Sequence, residues 1–123
     1  MSSQDVQRPV CIIGLGLIGG SLLRDLVASK HAVYGYNHST SGARSAIKAG
    51  YDVTDDLQAI LTRAEADNAL IVIATPMKAV ASVLDEIQQH APSCGITDVV
   101  SVKTEVRDLF LERGMESRYV GGH

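Results

Sequence analysis

Tryptophan is absent, phenylalanine occurs once and tyrosine four times in 123 residues. A core can therefore be built only from Ile, Val, Leu and Ala, the residues of strands buried on both faces of a parallel sheet. Cysteine is nearly as rare. Cys11 sits inside the first apolar run and Cys94 in a turn-like "PSCG". Two such residues point to reduced thiols in a cytoplasmic protein rather than a disulfide framework, and they lack metal-ligand spacing. Positive charge is not in excess: the net charge is -3, so no basic footprint invites nucleic acid. No run approaches the ~20 apolar residues that a membrane helix needs. The opening "MSSQDVQRP" lacks the apolar centre of a signal peptide.

What is present is a regular alternation. "VCIIG" (10–14) reads as a strand buried on both faces. Residues 18–29 place Leu22, Leu23, Leu26 and Val27 on one helical stripe. "AVYGYN" (32–37) is a second strand, and "SGARSAIKAG" a helix ending at Gly50. "YDVT" predicts a brief third strand, and "DDLQAILTRAEA" a helix. "ALIVIATP" (69–76) is the most strand-like segment, closed by Pro76. A helix over 77–90 buries Val80, Val83, Leu84 and Ile87. "ITDVVSV" is a fifth strand, "TEVRDLFLER" a helix with Thr104 as N-cap, and "YVGG" a sixth strand. About six strands interleaved with five helices predict an α/β fold with a doubly wound parallel sheet of the Rossmann type, residues 1–123 forming one dinucleotide-binding domain.

The loop after the first strand carries G-x-G-x-x-G in "GLGLIGGS". Gly14 would make the tight turn, Gly16 would let a pyrophosphate approach, and Gly19 would pack helix on strand. Leu17 and Ile18 would open the helix whose free N–H groups hold the anion. The motif lies where it carries meaning, after the first strand of a βαβ pattern. An NAD site ordinarily carries Asp or Glu at the end of the second strand. Here that place holds Asn37, then His38, Ser39 and Thr40, with Arg44 beyond. No carboxylate there repels a 2′-phosphate, Asn37, Ser39 and Thr40 offer neutral hydrogen bonds, and Arg44 offers charge; NADP is favoured over NAD. The same residues also suit a polar turn and helix cap whatever the ligand.

Ligands of doubly wound sheets bind beyond the carboxyl ends of the strands. Thr75 and Pro76 follow the fourth strand, Ser101 and Lys103 the fifth, and His123 the sixth. A histidine beside a nicotinamide suits the removal of a hydroxyl proton, since its pKa lies near operating pH.

In order and spacing, "VCIIGLGLIGGSL", "VYGYN", "IVIATP", "DVVSVK" and "GGH" resemble the nucleotide-binding domain of prephenate/arogenate dehydrogenases of tyrosine biosynthesis. D-x-x-S-x-K followed by G-x-H is the specific part of the likeness. The resemblance implies NAD(P)-dependent oxidative decarboxylation of prephenate to 4-hydroxyphenylpyruvate, or of arogenate to tyrosine. It implies that His123 takes the ring-hydroxyl proton as hydride passes to the nicotinamide, and that Ser101 lies near both. Lys103 matches a residue common in the motif, and Thr75 and Pro76 would lie beside the cofactor. In that family a helical C-terminal domain supplies the dimer interface and the carboxylate-binding arginine. The chain therefore reads as the cofactor-binding fragment of a cytoplasmic homodimeric enzyme, inactive alone. Two other readings stand beside this one: a dinucleotide-sensing module without chemistry, and a β-hydroxyacid dehydrogenase-like reductase.

Overall fold

The computed structural model describes residues 8–99 and 103–120, Lys103 by its backbone alone. Strands β1 (Val10–Ile13), β2 (Val33–Tyr36), β3 (Val53–Thr54), β4 (Leu70–Ile73) and β5 (Ile96–Asp98) alternate with five helices. These are α1 (Leu17–Ala28), α2 (Thr40–Lys48), α3 (Leu57–Asp67), α4 (Met77–His90) and α5 (Lys103–Glu112). The sheet runs β3-β2-β1-β4-β5, and every pair of neighbours is parallel. That is the doubly wound α/β arrangement the alternation predicts.

Side chains alternate faces along a strand, and the core divides accordingly. Cys11, Ile13, Ile71, Ile73 and Ile96 face one cluster, closed by Ile60 and Leu61 of α3, Val80, Leu84 and Ile87 of α4, and Val106 and Phe110 of α5. Ile12 and Val72 face the other, under Leu23 of α1 and Ala43 of α2. Both sheet faces are thus covered, which is why β1 and β4 read as unbroken apolar runs rather than alternating ones.

The helix ends follow local chemistry. Ser39 caps α2 by accepting from Gly42 N–H at 3.1 Å, and Asp56 caps α3 by accepting from Ala59 N–H at 3.1 Å. Gly50, at φ +98, ends α2 with its N–H on the Ile47 carbonyl while Tyr51 N–H reaches Ala46, the paired bonds of a Schellman motif.

Four details depart from expectation. Val27 is 43% exposed: the helix turns it past the edge of the stripe centred on Leu23. β5 stops at Asp98, short of the strand expected over "ITDVVSV", and Lys103 already begins α5. Thr104 consequently lies inside α5 and does not cap it. The sixth strand is reduced, among the described residues, to one parallel bridge from Tyr119 to Ile96, with Val120 N–H on the Ile96 carbonyl at 2.7 Å. A 3₁₀ turn at Glu116–Arg118 precedes it. The bridge lies against β5, where a sixth strand of the predicted sheet belongs.

Candidate functional site at the carboxyl edge of the sheet

Register brings the strand ends into one row. Ile13 pairs with both Tyr36 and Ile73, Tyr36 with Thr54, and Ile73 with Asp98. The loops that start at Gly14, Asn37, Asp55, Ala74 and Val99 therefore leave from the same edge.

The three glycines of the first loop occupy different surroundings. Gly14 has φ +105, and a Cβ there would stand 2.9 Å from the Ala74 carbonyl carbon and 3.0 Å from Thr75 Cγ2. It must be glycine for both reasons. A Cβ at Gly19 would fall 2.0 Å from the Gly14 oxygen. At Gly16 a Cβ would meet nothing within 4 Å. Two of the glycines are thus demanded by packing within the chain, and the middle one leaves room for something outside it. Gly16 is the N-cap of α1 with no side-chain cap bond, and α1 has no acid in its first turn. Its first N–H groups and the positive end of its dipole are free to face an anion.

Thr75 stands against this loop through its methyl, while its Oγ1 is buried without a hydrogen-bond partner among the described residues. A buried hydroxyl without a partner is costly in a protein and invites a ligand group. Pro76 is exposed and forms the N-cap of α4, again with no side-chain cap bond. Leu17 and Ile18 are 89% and 60% exposed, and they begin an open groove of about 430 Å³ that runs along α1 past Ser21 and Arg24. Free donors, an unpartnered hydroxyl and an uncovered glycine suit the pyrophosphate of a dinucleotide.

At the end of β2, Asn37 N–H donates to the Thr54 carbonyl at 3.0 Å. Its side chain lies over the first turn of α2, since a Cβ at Gly42 would fall 2.2 Å from Asn37 Nδ2. Ser39 accepts the helix cap bond and shares a bond of 3.0 Å with Ser41 Oγ. Thr40 Oγ1 donates to Asp55 Oδ2 at 2.8 Å. His38 and Arg44 are exposed, and among the described residues Arg44 has no ion-pair partner. Ser39 thus serves as the helix cap, and Thr40 spends its proton on a carboxylate. Burial, and next the Asp55 and Asp56 carboxylates, push the Tyr36 hydroxyl up from its ordinary pKa.

At the far end of the row, Asp98 is 6% exposed and accepts a hydrogen bond from the Tyr119 hydroxyl. Tyr119 is further held by an edge contact to Phe110, centroids 4.9 Å apart. Burial first, then the bond to Asp98, push the Tyr119 pKa up to about 12. Asp98 stands in the D-x-x-S-x-K motif, yet nothing in its spacing announces the tyrosine 21 residues later. Asp55 was equally hidden, because its role depends on β3 lying beside β2. Ser101 and His123, and the Lys103 side chain, lie outside the described residues; of the expected site the structure brings together Gly14, Gly16, Leu17, Ile18, Gly19, Thr75 and Pro76 on one side, and Asn37, His38, Ser39, Thr40 and Arg44 on the other. Among the described residues no group of three or more His, Cys, Asp or Glu side chains could hold a metal, and no helix is long and apolar enough to cross a membrane.

Residues 20–123 match the family model described as prephenate dehydrogenase, nucleotide-binding domain. A provisionally assigned prephenate dehydrogenase from Corynebacterium glutamicum ATCC 13032 superimposes with a TM-score of 0.93 at 61% identity, covering 96% of this chain and 36% of its own. Synechocystis arogenate dehydrogenase follows with a TM-score of 0.68 at 29% identity, covering 83% of this chain and 37% of its own. Prephenate dehydrogenase from A. aeolicus, in complex with hydroxyphenyl propionate and NAD+, shares the fold with a TM-score of 0.70 at 20% identity, covering 94% of this chain and 40% of its own. A comparison with curated proteins found no match. The chain thus spans well under half the length of these solved relatives.

Proposed function

From the premise that the chain belongs to the prephenate dehydrogenase nucleotide-binding-domain family, we propose that it forms the cofactor-holding part of an enzyme that oxidatively decarboxylates prephenate or arogenate, with NADP the preferred acceptor. The observation that carries this is the contrast among the glycines: Gly14 and Gly19 are closed in by the chain's own atoms, while Gly16 opens to solvent beside the uncapped start of α1. The N–H groups of Leu17, Ile18 and Gly19 would hold the pyrophosphate, and the Thr75 hydroxyl would find a partner in the bound cofactor. Pro76 lies beside that position at the N-terminus of α4.

When bound, the nicotinamide supplies the hydride acceptor. The residues proposed for the chemistry are His123, as base for the ring hydroxyl, and Ser101, beside it. Both roles rest on the resemblance of "DVVSVK" and "GGH" to the family pattern. Lys103 belongs to the same pattern. Departure of the hydroxyl proton leaves a carbonyl as hydride is lost from the same carbon, and loss of carbon dioxide makes the ring aromatic. The preference for NADP is supported by the neutral Asn37 at the end of β2, by Ser39 and Thr40 at the start of α2, and by Arg44, which has no ion-pair partner among the described residues; His38, where NADP-using relatives often carry Arg, does not add to it. The enzyme is proposed to work in the cytoplasm as a homodimer assembled outside this domain.

The test is turnover. Protein spanning the full length of the C. glutamicum relative, given prephenate or arogenate with NADP+, is expected to reduce the cofactor and release carbon dioxide. The 123-residue chain alone is expected to do neither. Failure of the longer protein with both substrates contradicts the proposal.

A further inference from the structure

The end of β2 lacks a carboxylate, but the edge of the sheet beside it does not. Asp55 follows β3, and the pairing of Tyr36 with Thr54 sets β3 alongside the end of β2. Its Oδ2 accepts from Thr40 Oγ1 at 2.8 Å, at the first residue of α2. The charge is exposed, and among the described residues no cation pairs with it. Arg44 stands one turn beyond Thr40 on the same face of α2, at the i, i+4 spacing. It too is unpaired, so an anion and a cation flank the start of this helix without neutralising each other.

We propose that Asp55 is a specificity-determining residue that acts against the 2′-phosphate of NADP, and that cofactor choice is set by the opposition of Asp55 to Arg44. This rests on the reading of the glycine loop as a dinucleotide site. A dinucleotide whose pyrophosphate lies on α1 extends its adenosine ribose toward the end of β2. The 2′ substituent then meets Ser39 and Thr40, with the Asp55 carboxylate directly behind Thr40. A 2′-hydroxyl can donate to that carboxylate, or leave the Thr40 bond untouched. A 2′-phosphate brings negative charge against negative charge, and it can take the Thr40 proton only by breaking the bond to Asp55. The preference for NADP is therefore held down by a group that sequence position does not betray.

The experiment is calorimetric titration of this 123-residue chain with NADPH and with NADH, as wild type and as Asp55→Asn, Asp55→Ala and Arg44→Gln. Asn keeps the shape and the acceptor for Thr40 and removes only the charge. Asp55→Asn is expected to tighten NADPH about tenfold, close to the scale of one exposed charge a few ångströms away in bulk water, and to leave NADH within about twofold. The gain should shrink as salt rises from about 0.05 M to about 1 M. Arg44→Gln is expected to weaken NADPH alone. A change of equal size for both cofactors in Asp55→Asn, or no change for NADPH, overturns this inference and leaves the dinucleotide site standing. Binding of neither cofactor to the wild-type chain overturns both.

Discussion

Gly16 and Gly19 lie three positions apart in one loop, yet a methyl group added to each meets opposite surroundings. At Gly19 it would fall 2.0 Å from the Gly14 oxygen, which forces helix α1 away from the strand that leads into it. Gly19→Ala is expected to destabilise the fold by about 1–3 kcal/mol, the usual scale of overpacking, lowering Tm by several degrees. At Gly16 nothing lies within 4 Å. Gly16→Ala should cost only the ~0.5–1 kcal/mol by which Ala falls below Gly at an N-cap, while abolishing measurable dinucleotide binding. Thermal melts and titrations of the two variants separate the roles; equal loss of stability would contradict them. The spacing of these glycines was legible at once, since Gly-x-Gly-x-x-Gly names its own mechanics. The unpartnered Thr75 hydroxyl was not, because burial of one oxygen depends on how β4 ends against a loop more than 50 residues earlier.

Among the elements, helices α2 and α3 are fixed at their starts by side chains, and α2 at its end by backbone. Ser39→Ala removes the cap of α2 and is expected to cost about 1 kcal/mol, with Ser39→Asn restoring most of it. The same substitution tests whether the β2–α2 turn is more than a cap. If Ser39 also meets the 2′-phosphate, Ser39→Asn will recover stability but not NADPH affinity. The stretch leading to the chain's last residues is fastened differently. Tyr119 donates to buried Asp98 and packs edge-on to Phe110, which ties the approach to His123 to the end of β5. Tyr119→Phe keeps the ring and removes the donor, so a loss of about 1–3 kcal/mol is expected from denaturant unfolding at neutral pH. A loss below about 0.3 kcal/mol would show that the hydroxyl is not needed there. Helix α4 and the apolar strands were readable from periodicity. The limits of β5 and α5 were not: "DVVSV" is as apolar as a longer strand, and only the pairing with β4, which stops at Ile73 opposite Asp98, ends it.

On the scale of the whole molecule, the groups that resist ionisation share one direction. Burial above all pushes Cys11 up to about 12 from an ordinary 9.0, and Cys94 up to about 11. Tyr119 is pushed up to about 12, and Tyr34, buried and bonded to Asp67 at 2.9 Å, rises as well. Each holds its proton more tightly folded than unfolded. The stability they lend is complete below the unfolded values near 9 and 10, and is lost as pH climbs through the folded ones. Denaturant midpoints are therefore expected to hold steady between about pH 7 and about pH 8.5 and to fall above about pH 9, each thiol contributing up to about 1.4 kcal/mol per pH unit. A midpoint unchanged to about pH 11 would contradict this. The same burial leaves both thiols unreactive to alkylation in the native chain and reactive on unfolding.

The doubly wound sheet was legible because composition, alternation and turn chemistry agree along the chain. Opposition across the sheet edge, Asp55 against Arg44, required the register of β3 on β2. The site itself is tested most directly by following the backbone amides of the 123-residue chain by NMR as NADP+ is added. Saturable shifts centred on the amides of Leu17, Ile18 and Gly19, with a second group from Asn37 to Arg44 and a third at Thr75 and beyond Pro76, are expected. Shifts that map to another face of the sheet, or no saturable shift at all, would contradict a dinucleotide held at the glycine loop.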